Sequence, residues 1–376
     1  MGECFITRHG GVTSDDTYTY TMTENGMFQY PAMVTIPKNV TSFMSNNAGC
    51  FGGHTEVKKV QWEDESAMTR IASNTFYNCT GLEDVVIPDT ITNLDIGAFY
   101  GCTNLKNISL NTEVKRRYGN NCFYNCNLTT ESAQIITESA QYFGSGVFYG
   151  NKNIKHITLP YLNTDICSGC TGLESAVVTA NISYSGYGSL FSGCTSLKSV
   201  IFTGDIVALG SYCFFNCKAL TSVTFPNNLT SLNPYIFSGC SSLKTMSIPH
   251  GVTTLGSQLF ANCTSLTTVW LPNTVTSGTE NTGTYQMFYG CTSLIDIQLE
   301  NGWNCNLVIS APTLTAASLK AMFESLADLT DTNTKTLTLG QNNYTTAIVT
   351  KYTPEGSSEE VSIATIATNK NWTLQA

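Results

Sequence analysis

Residues 237–249 read FSGCSSLKTMSIP and are one clear copy of a pattern that recurs along the chain. Its pattern, F-x-[G/N]-C-x-x-L-x-x-V-x-I-P, returns about every 23 to 25 residues, and a period in this range is the signature of a solenoid. In a solenoid each copy packs only against its neighbours, so the length of the chain says little about domain number. Eleven copies begin at Phe51, Phe76, Phe99, Phe123, Phe148, Cys167, Phe191, Phe214, Phe237, Phe260 and Phe288.

Each position of the repeat has a physical role. Met246 and Ile248 alternate, so both side chains enter the core from one short strand, and Pro249 ends that strand because it cannot donate to a ladder. Two residues after the Phe position every copy has Gly or Asn, the residues that adopt left-handed backbone most cheaply. We therefore expect a short helical turn, a left-handed corner, a strand and a return loop such as Val252–Gly256. The corner residues are Gly53, Asn78, Gly101, Asn125, Gly150, Gly169, Gly193, Asn216, Gly239, Asn262 and Gly290.

The repeat also accounts for most of the 15 cysteines. Nine occupy its Cys position, three precede the Phe position and Cys167 replaces the Phe, which leaves Cys4 and Cys305 outside the pattern. His54 and Asn151 stand at the Cys position without a partner being lost, which favours buried free thiols over a disulfide framework. Cys167 and Cys170 have the spacing of half a zinc site, but no second Cys or His pair stands nearby at ligand spacing. We expect no metal and no cofactor.

The composition of the chain argues against several classes of function. The net charge is −9 and only 12% of residues are charged, which argues against a nucleic-acid partner. No apolar run is long enough for a membrane-spanning helix, so membrane insertion is not expected, and no secretory signal is seen at the N-terminus. The four histidines have no nucleophile and acid at motif spacing, and no glycine-rich phosphate loop is present. The sequence predicts a protein that is not an enzyme and has no catalytic residues.

The repeat resembles the BspA-like, Treponema-type leucine-rich repeat family. Ile91-Thr92-Asn93-Leu94 with Gly97-Ala98-Phe99, and Val252-Thr253-Thr254-Leu255-Gly256, match the second half of that family's repeat. The resemblance implies an α/β solenoid, a right-handed superhelix with a parallel β-sheet on one side and short helical turns on the other, capped at both ends. It also implies a surface protein that binds host or partner macromolecules, and it brings no catalytic residues.

Three regions follow from this pattern. Residues 1–32 are an expected N-terminal cap, with an alternating strand at 17–21, and residues 33–299 are the solenoid, a half repeat followed by about eleven copies. Residues 300–376 are an expected βα cap. In this cap a first helix is expected to bury Leu319, Met322, Phe323, Leu326 and Leu329, and a strand follows at 336–340. A capping box at 357–360 is expected to begin a second helix, and a last strand lies at 371–374. The ending, 366–374, resembles a tail module of gut-bacterial surface proteins and phage tail-associated proteins.

Candidate binding residues lie at outward strand positions. Most of these are small and polar, and Trp270 is the exception, close to an insertion at 277–283 that is expected to protrude. Either Trp270 anchors a ligand or the insertion folds over it. The candidate ligand-binding residues are Trp270, His156, Thr268, Thr245, Asp296 and Gln298. A second candidate is an aromatic row that could grip a ligand but is favoured as a structural ladder: Tyr77, Tyr100, Tyr124 and Tyr149.

Three functions remain open from sequence. The first is non-enzymatic recognition or adhesion by a solenoid displayed at a cell surface or outside the cell, with a protein or glycan on a host or target cell as partner. The second is a virion component, such as a phage tail, receptor-binding or decoration protein, since unpaired cysteines suit assembly in reducing cytosol. The third is a structural scaffold. In each, the caps are candidate surfaces for oligomer or particle assembly.

Overall fold

The structure is a computed structural model in which two compact units are distinguished, Met1–Ala180 and Asn181–Ala376. The predicted strand at 17–21 lies almost wholly outside the described residues. Of 6–8, 21–22 and 28–29 only the backbone is described. The described residues are 6–8, 21–22, 28–29, 33–38, 40–43, 51–181, 188–226, 228–277, 287–309, 313–330 and 334–376.

The first unit contains fourteen short described β-strands, joined by turns, and one described α-helix. Its elements are β1 (Ile6–Arg8), β2 (Thr21–Met22), β3 (Phe28–Gln29), β4 (Met33–Ile36), β5 (Val40–Phe43), β6 (Lys59–Trp62), β7 (Arg70–Ile71), β8 (Asp84–Val86), β9 (Asn93–Leu94), β10 (Asn107–Ser109), β11 (Arg116–Tyr118), α1 (Thr130–Ser139), β12 (Ala140–Phe143), β13 (His156–Leu159) and β14 (Ser175–Val178).

The second unit repeats this architecture and ends in a βα module. Its elements are β15 (Ser199–Phe202), β16 (Ala208–Leu209), β17 (Ser222–Thr224), β18 (Ser231–Leu232), β19 (Thr245–Ser247), β20 (Thr254–Leu255), β21 (Thr268–Leu271), β22 (Asp296–Leu299), β23 (Leu307–Val308), α2 (Ala316–Glu324), β24 (Lys335–Thr338), α3 (Gly340–Val349), β25 (Lys351–Tyr352), β26 (Val361–Ser362), α4 (Ala364–Asn369) and β27 (Trp372–Gln375).

Both units are parallel β-solenoids, as the repeat predicts. In the first unit the strands of the Val-x-Ile positions form a parallel sheet in the order β10-β8-β6-β4, and in the second unit β19, β21 and β22 do the same. Val34 pairs with Val60 in this sheet, so β4 adds one strand before the first full copy. The predicted return loops also contain strands of two or three residues, which form a second parallel ladder in each unit, β7-β9-β11 and β16-β18-β20.

The turn that carries the Phe is a single hydrogen-bonded turn and not an α-helix. Around Phe76, the Tyr77 N–H donates to Asn74 O at 3.0 Å and the Cys79 N–H to Phe76 O at 3.2 Å, both at a spacing of three residues. The same turn bonds to the next coil, since the Phe76 N–H donates to Ala98 O at 2.9 Å. The backbone is therefore paired between coils at the turn as well as in the two strand ladders.

All eleven predicted corners have positive φ, from 51° at Asn125 to 79° at Gly53 and Gly239. The structure adds a second left-handed corner two residues before the Phe position. It accepts Tyr, Ser, Gln and Asp as well as Gly and Asn, so no pattern in the sequence reveals it. Its members are Asn74, Gly97, Asn121, Gly146, Asp165, Ser189, Tyr212, Tyr235 and Gln258.

The core of each unit is a stack of the repeated Phe rings. Ring centroids of Phe51, Phe76, Phe99 and Phe123 are 5.1 to 5.4 Å apart and nearly parallel. The rings from Phe191 to Phe288 continue in the same way at 5.5 to 5.8 Å in the second unit. Successive coils place identical side chains one strand spacing apart, so offset stacking follows from the repeat itself.

The thirteen described cysteines are buried free thiols, and their hydrogen bonds explain their position. The Sγ of Cys240 donates to Phe214 O in the preceding coil at 3.2 Å, and Cys102, Cys217 and Cys263 make the equivalent bond at 3.0 to 3.1 Å. Asn151 replaces the thiol with its amide, which donates to Phe123 O at 2.8 Å. The position therefore needs a small buried donor and not a disulfide partner.

The copy that begins at Phe123 departs from the repeat because α1 stands where a strand is expected, packed against β10 and β13. The N-cap Thr129 accepts from the Ser132 N–H, and Ser132 Oγ accepts from the N–H of Ile108 in β10 at 3.0 Å. The helix thus supplies a hydroxyl to a strand edge that would otherwise lose its partner.

The same arrangement recurs where α2 covers β22 in the second unit. Thr315 caps α2, and Ser318 Oγ accepts from the Ile297 N–H at 3.1 Å. Leu314 N–H donates to Asn343 Oδ1, as Leu128 N–H donates to Asn151 Oδ1. The segment L-T-x-x-S, at 128–132 and 314–318, is therefore one sheet-capping module used twice.

The C-terminal module is partly as predicted. Leu319, Met322, Phe323, Leu326 and Leu329 are buried around α2, and β24 and β27 are parallel neighbours. The predicted capping box at 357–360 is wrong: Ser357 Oγ accepts from the Glu359 N–H within a turn, and β26 intervenes before α4. Helix α3 was not predicted. Within the described residues, no helix is long and apolar enough to cross a membrane.

Candidate ligand-binding face

Five of the six candidate ligand-binding residues lie together on the outward face of β19, β21 and β22. The register places Thr245, Thr268 and Asp296 side by side, and Trp270 between Ser247 and Gln298. The alternate positions, Met246, Val269 and Ile297, are buried in the core. Because successive side chains of a strand point to opposite faces, burial of this second set turns the first set outward. We call these six outward residues, including Ser247, the Trp270 face.

Trp270 is half-buried, and its indole N–H has no hydrogen-bond partner within the described residues. The small side chain of Ser247 stands beside it on one strand. On the other, Gln298 Nε2 donates to Asp296 Oδ2 at 2.8 Å. This bond fixes an amide and a carboxylate next to the indole ring. The remaining oxygens of both groups have no partner in the described part of the chain.

The exits of these strands carry a polar cluster that the sequence did not indicate. His250 Nδ1 lies 3.1 Å from Glu300 Oε2, and the Asn273 N–H donates to the same oxygen at 3.0 Å. The backbone N–H of Asn273, followed by His250, lowers the pKa of the Glu300 carboxyl. Glu300 is therefore ionised at neutral pH and joins three successive coils beside the Trp270 face. One sequence signal could have found this cluster: each of its three residues directly follows the segment that ends a strand.

His156 does not belong to the Trp270 face, since it lies in β13 of the first unit. It is exposed, and its Nδ1 lies 2.8 Å from Ser175 Oγ on the neighbouring strand β14. The insertion predicted at 277–283 lies outside the described residues except for Ser277, which bridges to Thr254. Whether that insertion covers Trp270 stays a prediction.

The second candidate, the aromatic row of the first unit, forms a continuous ladder. Ring centroids of Tyr77, Tyr100, Tyr124 and Tyr149 are 5.0, 4.5 and 4.4 Å apart, with interplanar angles of 15° or less. Desolvation, followed by the neighbouring phenols, raises the pKa of Tyr124 to about 12. The inner rings have both faces covered by their neighbours, which leaves ring edges for a ligand and supports the ladder interpretation.

The two cysteines with the spacing of half a zinc site have other roles. Cys167 and Cys170 are both buried, and Cys170 Sγ donates to Phe148 O at 3.0 Å like the other thiols of the repeat. Among the described residues, no three His, Cys, Asp or Glu side chains are grouped so as to hold a metal ion. The arrangement on the Trp270 face offers an aromatic ring and polar groups for binding.

These features define a leucine-rich-repeat type of parallel β-solenoid. The family model described as "BspA type Leucine rich repeat region" matches residues 24–154, 69–187 and 163–295. The chain belongs to this family. A search of the curated proteins found no match.

Two solved structures with TM-scores of 0.50 or more share this fold. A leucine-rich repeat protein from Bacteroides ovatus superposes with a TM-score of 0.56 at 21% identity, with 89% of each chain covered. The pneumococcal vaccine antigen PcpA gives a TM-score of 0.50 at 15% identity over 95% of this chain and 82% of its own. A leucine rich cell surface protein from Faecalibacterium prausnitzii matches at 21% identity over 76% and 94%, with a TM-score of 0.40.

Proposed function

We propose that this protein is a non-enzymatic recognition or adhesion protein, displayed at a cell surface or outside the cell, that binds a protein or glycan of a host or target cell. The observation that carries the proposal is Trp270, a large aromatic side chain turned outward from a sheet whose other outward residues are polar. Aromatic anchors of this kind dominate binding energy at interfaces. Membership of the BspA-type family supports the same role.

The chemistry of the Trp270 face supports binding and not catalysis. The carboxylate of Asp296 is engaged by Gln298, and the face holds no histidine or thiol. Thr245, Thr268 and Ser247 are the hydroxyls closest to Trp270 by register, and the single carboxylate on the face, that of Asp296, already accepts a hydrogen bond from Gln298. The face therefore offers contact area and hydrogen bonds without the paired acid and base that proton transfer needs.

The test is binding of the soluble full chain to intact cells and to immobilised matrix proteins and glycans, with the variant Trp270→Ala. Truncation of a central anchor is expected to weaken binding at least ~10-fold. Tyr289→Ala is the matched control, because Tyr289 is an aromatic residue with 43% of its surface exposed that belongs to the turn and not to the sheet. Equal loss in both variants, or no loss with Trp270→Ala, would contradict the proposal.

A second candidate is a virion component, and the observation in its favour is that the thirteen described cysteines are free. Unpaired thiols suit assembly in reducing cytosol and release by lysis. In this role the C-terminal module, which resembles tail modules, and the N-terminal cap would be the assembly surfaces. Detection of the chain in purified virions selects this candidate. A signal peptide or wall anchor in the complete gene excludes it and selects display on the cell.

A further inference from the structure

The Trp270 face is too polar for the core of a protein interface. A specific protein interface buries about 800 Å² on each partner, and its centre is apolar and aromatic. Here one indole ring is surrounded by Ser247, Thr268, Asp296 and Gln298. A small ligand needs less apolar area, and a typical small-ligand site combines aromatic contact with a few placed polar groups. The face has both.

We propose that the Trp270 face is a subsite for a neutral glycan. The apolar face of one sugar ring packs on the indole of Trp270, and the hydroxyls of that ring bind the Asp296–Gln298 pair. This inference rests on the proposed recognition function and names its ligand class.

The Asp296–Gln298 pair is arranged for sugar hydroxyls. The 2.8 Å bond between Gln298 Nε2 and Asp296 Oδ2 holds both planar groups in place before a ligand arrives. Preorganisation of this kind lowers the cost of ordering side chains on binding. The carboxylate accepts from hydroxyl groups through charge-assisted bonds, which are shorter and stronger than neutral ones. Thr268, beside Asp296, adds a hydroxyl that donates or accepts.

Charge selects a neutral glycan over an acidic one. Asp296 lies on the face itself, and Glu300, whose pKa is lowered, stays ionised at the exit of the same strand. His250 is paired with Glu300. The exposed Lys244 directly precedes Thr245, which lies two strand spacings from Asp296, about 10 Å. Sialic acid or sulfate groups would meet the negative charge of Asp296, and like-charge contacts suppress the wrong partner.

The experiment is an array of neutral glucan, mannan and galactan oligosaccharides beside sialylated and sulfated glycans, followed by titration of indole fluorescence with the soluble hits. We expect neutral hits only. Trp270→Ala is expected to weaken binding at least ~10-fold, and Gln298→Ala by a smaller factor of about 5 to 10 for one lost hydrogen bond. Gln61→Ala is the control and should leave affinity unchanged, because Gln61 is a glutamine of β6 in the other unit whose amide likewise donates to a neighbouring side chain, that of Thr35.

A specificity variant gives a second readout. Asp296→Asn keeps the shape of the side chain and removes its charge, so it should weaken neutral glycans and admit sialylated or sulfated ones. The proposal is overturned if only acidic glycans bind, if no glycan binds, or if hits are indifferent to Trp270→Ala. Protein binding that is lost in Trp270→Ala, with no glycan bound, would refute this inference and leave the recognition function standing.

Discussion

Replacing Gly150 by alanine tests how Asn and Gly corners stack in successive coils. Gly150 has a φ of +72°, and an added Cβ would overlap Asn125 Oδ1 and lie 3.1 Å from Asn125 Cγ. Rotating the amide about χ2 leaves the Cγ contact, so Asn125 must move about χ1 or the coils must separate. Gly169, one coil further on, has the same φ, but its added Cβ would meet nothing closer than 3.6 Å. The two glycines therefore differ in packing and not in backbone.

The expected costs follow from this difference. Left-handed backbone costs an alanine about 1–2 kcal/mol, of which about 0.4–1 kcal/mol is returned by the less flexible unfolded chain. Gly169→Ala should therefore lower the free energy of unfolding by about 1 kcal/mol. Gly150→Ala carries the same cost plus about 1–3 kcal/mol for overpacking against Asn125. We expect a total of about 2–4 kcal/mol for Gly150→Ala.

The assay is urea unfolding followed by circular dichroism. The free energy of unfolding is obtained by linear extrapolation with one m-value for all variants. The double variant Asn125→Gly/Gly150→Ala should recover the overpacking term, because glycine at 125 keeps the left-handed corner and removes the amide. A coupling energy of about 1–3 kcal/mol between the two sites is expected. If Gly150→Ala costs no more than Gly169→Ala, or if Asn125→Gly rescues nothing, the corner pairing is not steric and the reasoning fails.

Three further predictions concern buried polar groups. Burial raises the pKa of Cys102, Cys122 and Cys217 above the ordinary 9.0, so only the unfolded chain releases these protons and stability should fall above pH 9. The slope is up to ~1.4 kcal/mol per pH unit for each thiol, and a urea midpoint in reducing buffer that stays flat to pH 10 would contradict it. Ser132→Ala should cost about 1–3 kcal/mol in urea unfolding, because it orphans the Ile108 N–H, whereas a neutral variant would show that the helix does not cap the sheet. Arg116→Lys should lower the melting temperature, since the fully buried guanidinium donates to the carbonyls of residues 91, 111 and 114 and an ammonium cannot span all three; unchanged melting would refute this role.

The repeat predicted the solenoid because the apolar side chains of every copy enter a common core. Three features could be predicted from the sequence because each requires a particular residue type. They are the Phe stack, the inward Val-x-Ile positions and the eleven left-handed corners. The free thiols could also be predicted from the sequence, because Asn151 in place of a Cys indicated that the position needs no covalent partner. The hydrogen bond from the Asn151 amide to Phe123 O explains why an Asn can replace the Cys.

The second left-handed corner was not readable because it is imposed by neighbouring coils and not by residue preference. Tyr212 and Tyr235 have φ values of 61° and 62°, which a bulky side chain adopts only under constraint. Their rings stack with centroids 4.8 Å apart, so packing contributes to holding the strained backbone. Tertiary contacts override local preference here.

The candidate site was predicted in part. Alternation along the strand turned Trp270 outward, and the common repeat length placed Thr245, Thr268 and Asp296 in register. The bond between Gln298 and Asp296 and the cluster at Glu300 could not be read, because both depend on side-chain rotamers. The prediction of a capping box near 357 was wrong for a related reason. The side chain of Ser357 can cap a local turn as well as the start of a helix, and the pairing of β25 with β26 decides between the two.

The repeated capping module has a consequence for how a gene of this kind changes length. Segments 128–132 and 314–318 share L-T-x-x-S, and each has its Asn partner downstream, at 151 and 343. Recombination between the two segments would delete the coils between them and still deliver Ser318 to the Ile108 N–H and Asn343 to the Leu314 N–H. The shortened product would keep a finished sheet edge. A chain shortened in this way would therefore need no new sequence to cap its sheet.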